Sequence, residues 1–219
     1  MRRLQSGRVG PEKADSVVVF VHGYGADGAD LLGLADPLAP HLPGTAFYAP
    51  DAPEPCPINP MGRQWFSIPR MDGSTEAEAR AGLLRAADDL DGFLDAVLAQ
   101  EGLGPDRLAL VGFSQGTMLS LHVAPRRAVP IAGVVGFSGR LLAPERLAAD
   151  TISRPPILLA HGDADPMVPF ADMGLAARGL ADAGFDVATH VMRGTGHGIS
   201  PDGLSVALGF LRRHLAPTE

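Results

Sequence analysis

The stretch Leu108–Gly116 reads LALVGFSQG and decides the fold of this chain. Its first half is an apolar run of strand length, which predicts a buried strand. Gly112 and Gly116 flank Ser114, and small residues at this spacing suit a sharp turn from a strand into a helix. At such a turn the serine hydroxyl is exposed above the sheet, where it can act as a nucleophile. The alternative is a glycine-rich turn that happens to contain a serine, so the choice depends on the rest of the chain.

The composition indicates one compact domain that does not bind nucleic acid. The 219 residues are 46% hydrophobic and 20% charged, which is typical of a globular domain with a large core. We therefore expect a single domain over residues 1–219. The net charge of -7 argues against a nucleic-acid partner, and no basic run suits an anionic lipid surface.

The N-terminal sequence and the cysteine usage favour a cytoplasmic location. The first residues, MRRLQ, lack the apolar stretch of a signal peptide. No apolar run is long enough to span a bilayer, so we expect no stable membrane anchor. The single cysteine, Cys56, has no partner for an intrachain disulfide, which agrees with a reducing compartment.

Strand-like and helix-like segments alternate along the chain. The run Ser16–Val21 is apolar and β-branched without alternation, as expected for a strand covered on both faces. Such alternation predicts an α/β fold with a mainly parallel central sheet and helices on both faces. The other predicted strands are Thr45–Ala49, the run before Ser114, Ile131–Phe137, Ile157–His161, Asp186–Met192 and a weak edge strand within Leu4–Gly10. The predicted helices are Leu31–Ala39, Thr75–Gln100, Gln115–Ala124, Pro144–Ala149, Phe170–Ala183 and Pro201–Leu215.

Two late loops carry the groups that a serine nucleophile requires. A serine needs a base to take its proton and a carboxylate to orient that base, and in an open parallel sheet these follow the carboxyl ends of strands. Asp163 and Asp165 follow the strand that ends at His161, and His197 follows the last strand. The order Ser, Asp, His is that of α/β-hydrolases. Spacing alone does not separate Asp163 from Asp165, and we interpret His161 as structural.

The glycine-rich loop His22–Gly28 follows an early strand and supplies a second element of the site. Its glycines allow the backbone to approach a ligand, so the N–H groups of Tyr24 and Gln115 are predicted to form an oxyanion hole. The alternative is a turn that merely needs unusual backbone angles. We find no Cys/His or H-E-x-x-H cluster and therefore predict no metal site.

The proline-rich stretch Pro50–Thr75 has no clear period but contains Trp65 and Phe66. Because a disordered linker rarely carries such residues, we expect an ordered loop. Together with Met167, these two aromatic residues are predicted to form an apolar substrate-binding wall beside Ser114. The alternative is that Trp65 only anchors the loop to the core. This stretch is the only sizeable excursion, so we expect no separate cap domain.

With these motifs the sequence resembles the phospholipase/carboxylesterase family of small α/β-hydrolases, which includes bacterial carboxylesterases and acyl-protein thioesterases. The resemblance covers nearly the whole chain, and its motifs are Val21–Gly28, Arg63–Phe66, Gly112–Gly116, His161–Pro169 and Gly196-His197.

The resemblance implies a role for each site residue. It implies Ser114 as nucleophile, His197 as general base and acid, and Asp165, rather than Asp163, as the residue that orients the histidine. It also implies Tyr24 and Gln115 as oxyanion donors, no cofactor and, in many members, a homodimer. Thr117 departs from the family, which usually has glycine there; the departure concerns local packing more than chemistry.

The sequence thus predicts a carboxylesterase that hydrolyses small to medium acyl esters through a Ser-His-Asp triad and an acyl-enzyme. One alternative is an acyl-protein thioesterase or lysophospholipase, which uses the same mechanism with a groove for a long acyl chain. A non-catalytic binding protein with this fold is a further alternative, but no triad or turn residue is missing.

Overall fold

The computed structural model describes residues 2–216, which build a seven-stranded sheet with helices on both faces. The spatial order is β1-β3-β2-β6-β7-β8-β9, and every neighbouring pair is parallel except β1 with β3. This confirms the predicted, mainly parallel sheet. The strands are β1 (Ser6–Val9), β2 (Ser16–Val21), β3 (Thr45–Pro50), β6 (Leu108–Phe113), β7 (Gly133–Phe137), β8 (Ile157–Gly162) and β9 (Val187–Met192), with β4 (Glu54–Cys56) and β5 (Asn59–Gln64) forming a separate hairpin.

The two faces of the sheet carry separate hydrophobic cores. In β2, Val17, Val19 and Val21 face one core and Val18 and Phe20 face the other, which explains the unbroken apolar run. Side chains of α4 to α7 cover the first face, and those of α1, α2 and α8 cover the second. The helices are α1 (Gly28–Leu32), α2 (Ala35–Leu38), α3 (Pro69–Asp72), α4 (Glu76–Glu101), α5 (Gln115–Val123), α6 (Pro144–Asp150), α7 (Ala171–Asp182) and α8 (Pro201–His214). Within residues 2–216, none of them combines the length and apolar character needed to cross a membrane.

The predicted helix Leu31–Ala39 is wrong as a continuous element. A capping box between Asp27 and Asp30 starts α1 earlier, at Gly28, and α1 ends at its C-cap, Gly33. Leu31, Ala35 and Leu38 are nevertheless all buried in the second core. The helical spacing therefore predicted which side chains are buried. The helix is interrupted between them because Leu34 N and Asp36 N donate to the carbonyl oxygens three residues earlier, at 2.9 and 3.2 Å, rather than four.

The stretch 50–75 is ordered, as predicted, and contains more secondary structure than its composition suggests. After β3 it forms the β4–β5 hairpin and the short helix α3. Arg63 in β5 exchanges two backbone hydrogen bonds with the glycine-rich loop, from Gly25 N to Arg63 O and from Arg63 N to Ala26 O, both 2.8 Å. The hairpin is thereby attached to the loop that was predicted to hold the oxyanion.

His122 on α5 gives the fold a testable sensitivity to acid. Burial, and secondarily the Arg126 charge, lowers the pKa of His122 to about 4. The unfolded chain takes up this proton near pH 6.5, so stability is lost as the pH falls from about 6.5 to about 4. We expect His122→Gln to narrow the difference in unfolding free energy between about pH 7 and about pH 4.5 by about 2–3 kcal/mol, measured by urea denaturation. An identical pH dependence in the two proteins would contradict this.

Candidate active site

Ser114 lies at the turn between β6 and α5 in a backbone conformation that only a close-packed turn maintains. Its φ of 53° and ψ of -113° are unusual for a residue with a side chain. Its N–H donates to Phe137 O on β7 at 2.8 Å, which attaches the turn to the neighbouring strand. A Cβ on Gly116 would lie 1.8 Å from Val21 O, so the turn requires glycine there. The sequence pattern around Ser114 thus follows from the close approach of three strands.

Ser114, His197 and Asp165 are joined by two hydrogen bonds. His197 Nε2 lies 3.0 Å from Ser114 Oγ, and His197 Nδ1 lies 2.7 Å from Asp165 Oδ2. A carboxylate only accepts, so Nδ1 carries a hydrogen and Nε2 is free to accept the serine proton. The His197 side chain is 20% exposed, whereas that of Asp165 is fully buried. The geometry is that of a nucleophile, a base and an orienting acid.

The Asp165 carboxylate is kept ionised by its hydrogen bonds. Burial raises its pKa, but the donors His197 Nδ1, Val168 N and Met167 N outweigh this, so the pKa of Asp165 lies below its ordinary value. The two backbone N–H groups donate to Oδ1 at 2.8 and 3.0 Å, which leaves Oδ2 for His197. The acid can therefore stay negative while the histidine takes up a proton.

Asp163 does not contact His197, so the geometry separates the two aspartates. Its Oδ1 instead accepts from Gly194 N, 2.6 Å away in the loop that carries His197. The two loops approach closely at Gly162, where a Cβ would lie 2.2 Å from Thr195 O. The absence of a side chain at Gly162 permits this approach. The donor nearest to Asp163 is therefore in the next loop rather than in its own.

The oxyanion donors predicted at Tyr24 and Gln115 are backbone N–H groups. Gln115 follows Ser114 directly, and Gly23, which precedes Tyr24, is so close that a Cβ on it would lie 3.3 Å from Ser114 Cβ. Gln115 is the first residue of α5, so its N–H has no acceptor within the helix. Among the backbone and side-chain bonds of residues 2–216, the Tyr24 N–H has no acceptor. Both groups are available to an oxygen that develops negative charge.

His22 holds the Tyr24 loop in place, a role that the sequence analysis did not assign. Its Nε2 accepts from Ala52 N at 2.9 Å, so its Nδ1 carries the hydrogen and donates to Gly23 O at 2.8 Å. Burial lowers the pKa of His22, which favours this neutral form. Its position at the end of β2, before the glycines, was the only sequence signal for this role.

The three residues predicted to form a substrate wall differ in exposure and contacts. Trp65 is 1% exposed, its Nε1 donates to His22 O at 3.0 Å, and its backbone N donates to Gln115 Oε1 at 2.9 Å. These contacts favour the alternative given in the sequence analysis, in which Trp65 anchors the loop to the core. Its buried ring does not fit the predicted role as a wall residue. Phe66 lines a groove, and Met167 is 44% exposed with its carbonyl bound by Arg70 Nη2 at 2.9 Å.

A groove of about 900 Å³ begins beside the Ser114 turn and runs between α4, α5 and α6. Met118, one helical turn after Ser114, forms part of its wall, and Met118 N donates to Ser114 O at 3.2 Å. The side chains of Ser114, His197 and Asp165 do not themselves line it. The larger apolar side chains that line it are Phe66, Ile68, Leu83, Leu84, Met118, Val123 and Leu142.

Thr117, the departure from the family pattern, is accommodated without touching the triad. Its Oγ1 lies 2.8 Å from the carbonyl oxygens of Gly112 and Phe137, and the residue is buried. A Cβ on Gly136 or Gly139 would lie 2.6 or 2.5 Å from the Thr117 side chain. The absence of side chains at these two glycines therefore leaves room for the Thr117 side chain.

Comparisons with known proteins show the family to which the chain belongs. The sequence profile of the phospholipase/carboxylesterase family matches residues 8–215. The chain is 29% identical to acyl-protein thioesterase 1 of Gibberella zeae, over 98% of this chain and 99% of that protein. It is 31% identical to esterase YpfH of Escherichia coli, over 92% of this chain and 84% of that protein. The crystal structure of esterase PE8 superposes with a TM-score of 0.92 at 41% identity, covering 98% of this chain and all of that one. The chain therefore belongs to the phospholipase/carboxylesterase family and is a serine hydrolase with the α/β-hydrolase fold.

Proposed function

We propose that this esterase hydrolyses small to medium acyl esters, with Ser114 as nucleophile, His197 as general base and acid, and Asp165 as the orienting acid. The observation that carries the proposal is the chain of hydrogen bonds from Ser114 Oγ through His197 to Asp165, at 3.0 and 2.7 Å. The three residues lie on three different loops, so their convergence is a property of the fold rather than of local sequence.

The reaction follows from the groups that surround Ser114. As Ser114 Oγ attacks the ester carbonyl, its proton passes to His197 Nε2, and the N–H groups of Tyr24 and Gln115 stabilise the oxyanion. His197 then gives the proton to the departing alkoxide, which leaves an acyl-enzyme. A water molecule attacks the acyl-enzyme, its proton passing to His197, and the collapse of the second oxyanion releases the acid as Ser114 recovers its proton.

The size of the preferred acyl group is inferred from the surfaces beside Ser114. Phe66 and Met118 lie where the groove approaches the turn, and both are apolar. Further along α5 the groove wall includes His122 and Arg126, which do not favour a hydrocarbon chain. We therefore place the acyl group in the first, apolar part of the groove. Two observations support the alternative, an acyl-protein thioesterase or lysophospholipase. They are the length of the whole groove and the name of one relative, acyl-protein thioesterase 1.

A series of p-nitrophenyl esters of increasing chain length tests the proposal. Each methylene covered by the wall should add up to about 0.8 kcal/mol, or about fourfold in kcat/KM. We expect kcat/KM to rise from acetyl to butyryl or hexanoyl esters and then to level off, and Phe66→Ala to flatten the rise. A steady increase to palmitoyl esters would favour the alternative.

Trp65→Phe is the matched control for Phe66→Ala. It keeps an aromatic ring in the core but loses the five-membered ring of the indole together with its hydrogen bond to His22 O. We expect lower thermal stability with the chain-length preference of the wild type. A changed acyl-chain-length preference in Trp65→Phe would mean that Trp65 does contact the substrate.

The remaining proposals concern the state of the protein in the cell. We propose a cytoplasmic enzyme that forms one catalytic domain over residues 1–219, supported by the free, buried Cys56 and by two cores that share one sheet. The homodimer that the family resemblance implies stays a prediction, and light scattering of the purified protein tests it.

A further inference from the structure

His161 is the penultimate residue of strand β8, four residues before Asp165, and is 1% exposed. Its Nε2 lies 3.0 Å from Val168 O and 3.2 Å from Asp165 Oδ2. Both neighbours only accept, so this nitrogen must carry a hydrogen. The hydrogen bond goes to Val168 O, and the positive edge of the ring also faces the carboxylate oxygen that binds His197.

We propose that His161 is a positioning residue for Asp165, an inference that rests on the proposed triad. The N–H groups of Met167 and Val168 fix Oδ1, but both belong to the same loop as Asp165. If that loop shifted, the carboxylate would shift with it. His161 connects the loop to the sheet, because it holds Val168 O from a strand residue and contacts Oδ2 directly.

The ring of His161 is itself held in place. The residue pairs with Val191 in the parallel register of β8 and β9. The ring of Phe170 packs against it edge to face, with centroids 6.1 Å apart and an interplanar angle of 79°. An apolar side chain would pack equally well against Phe170 but would offer neither Val168 O nor Asp165 a hydrogen. The Nε2–H group is therefore the feature that the proposal requires.

Two variants separate positioning from packing. His161→Leu has a similar volume and no donor, whereas His161→Gln places an amide N–H₂ at about the same distance from the backbone. The concentration of reactive Ser114 is first measured by fluorophosphonate titration, carried to completion on a separate aliquot, so that kcat of the unlabelled enzyme is expressed per folded active site. We expect His161→Leu to lower kcat by about 10- to 100-fold with KM little changed, as when partners behind a reacting group are removed. We expect His161→Gln to stay within about threefold of the wild type.

The kcat values of the His161 variants decide whether His161 positions Asp165. A kcat for titrated His161→Leu within about threefold of the wild type would overturn the proposal, as would equal losses in the two variants. If His161→Leu does not fold, His161→Asn, whose amide is one methylene too short, makes the same comparison with His161→Gln. The triad has its own tests: labelling of the wild type at Ser114 tests the nucleophile, and Asp165→Asn tests the orienting acid, so a failure of the triad is distinguishable from a failure of this proposal.

Discussion

Replacing Ser114 by alanine should leave a folded protein that has lost about 10⁴- to 10⁶-fold in kcat/KM. The hydroxyl makes one hydrogen bond, to His197, and the residue keeps its unusual backbone angles with either side chain. The loss of stability should therefore be about 1 kcal/mol or less. The proposed oxyanion donors Tyr24 N and Gln115 N remain, and we expect them to account for the residual rate.

Ser138 offers a matched control for this substitution. It follows the neighbouring strand β7, also has a positive φ, of 49°, and its buried Oγ has no partner within residues 2–216. Ser138→Ala should therefore keep both esterase activity and labelling by a fluorophosphonate, whereas Ser114→Ala should lose both. If Ser114→Ala retained a tenth of the wild-type kcat/KM, the assignment of the nucleophile would be wrong.

The sheet and the approximate position of the triad could be predicted because they depend on regular features. Apolar runs of strand length marked the parallel strands, and the carboxyl ends of parallel strands lie at one edge of a sheet. Ser114, the acidic loop and His197 follow three of these strands, so their proximity followed from the order of elements. The contacts within each loop do not follow from such regularities.

The choice between Asp163 and Asp165 illustrates what the sequence could not provide. It depends on Met167 N and Val168 N turning back onto Asp165, and on Gly194 N reaching Asp163 from another loop. These are irregular backbone contacts with no periodic signature. The family resemblance supplied the choice, and spacing did not.

Trp65 and His161 show the same limit for buried side chains. Composition indicated that Trp65 orders its loop, but the direction of its ring depends on His22 O, 43 residues away. His161 was interpreted as structural, because the sequence near a strand end does not indicate which loop will pack over it. Its contact with Asp165 became visible only with the conformation of residues 163–168.

Asp165→Asn should lower kcat by about 10⁴-fold, because an amide has one acceptor oxygen, whereas the backbone N–H groups and His197 Nδ1 require two. Two backbone N–H groups face Oδ1, so the amide oxygen of asparagine is held there. The amide N–H₂ then faces His197 Nδ1. To avoid two opposed donors, His197 must move its hydrogen to Nε2, which removes the acceptor for the serine proton.

The same substitution at Asp163 is the control for Asp165→Asn. An asparagine at 163 keeps an oxygen that can accept from Gly194 N, so the loop that carries His197 retains its support. We expect Asp163→Asn to change kcat by less than about tenfold, with its effect mainly on thermal stability. Both variants should still fold, since each exchange preserves side-chain shape, and circular dichroism verifies this before the kinetics. Equal losses of kcat in the two variants, or a greater loss in Asp163→Asn, would mean that Asp165 does not orient His197.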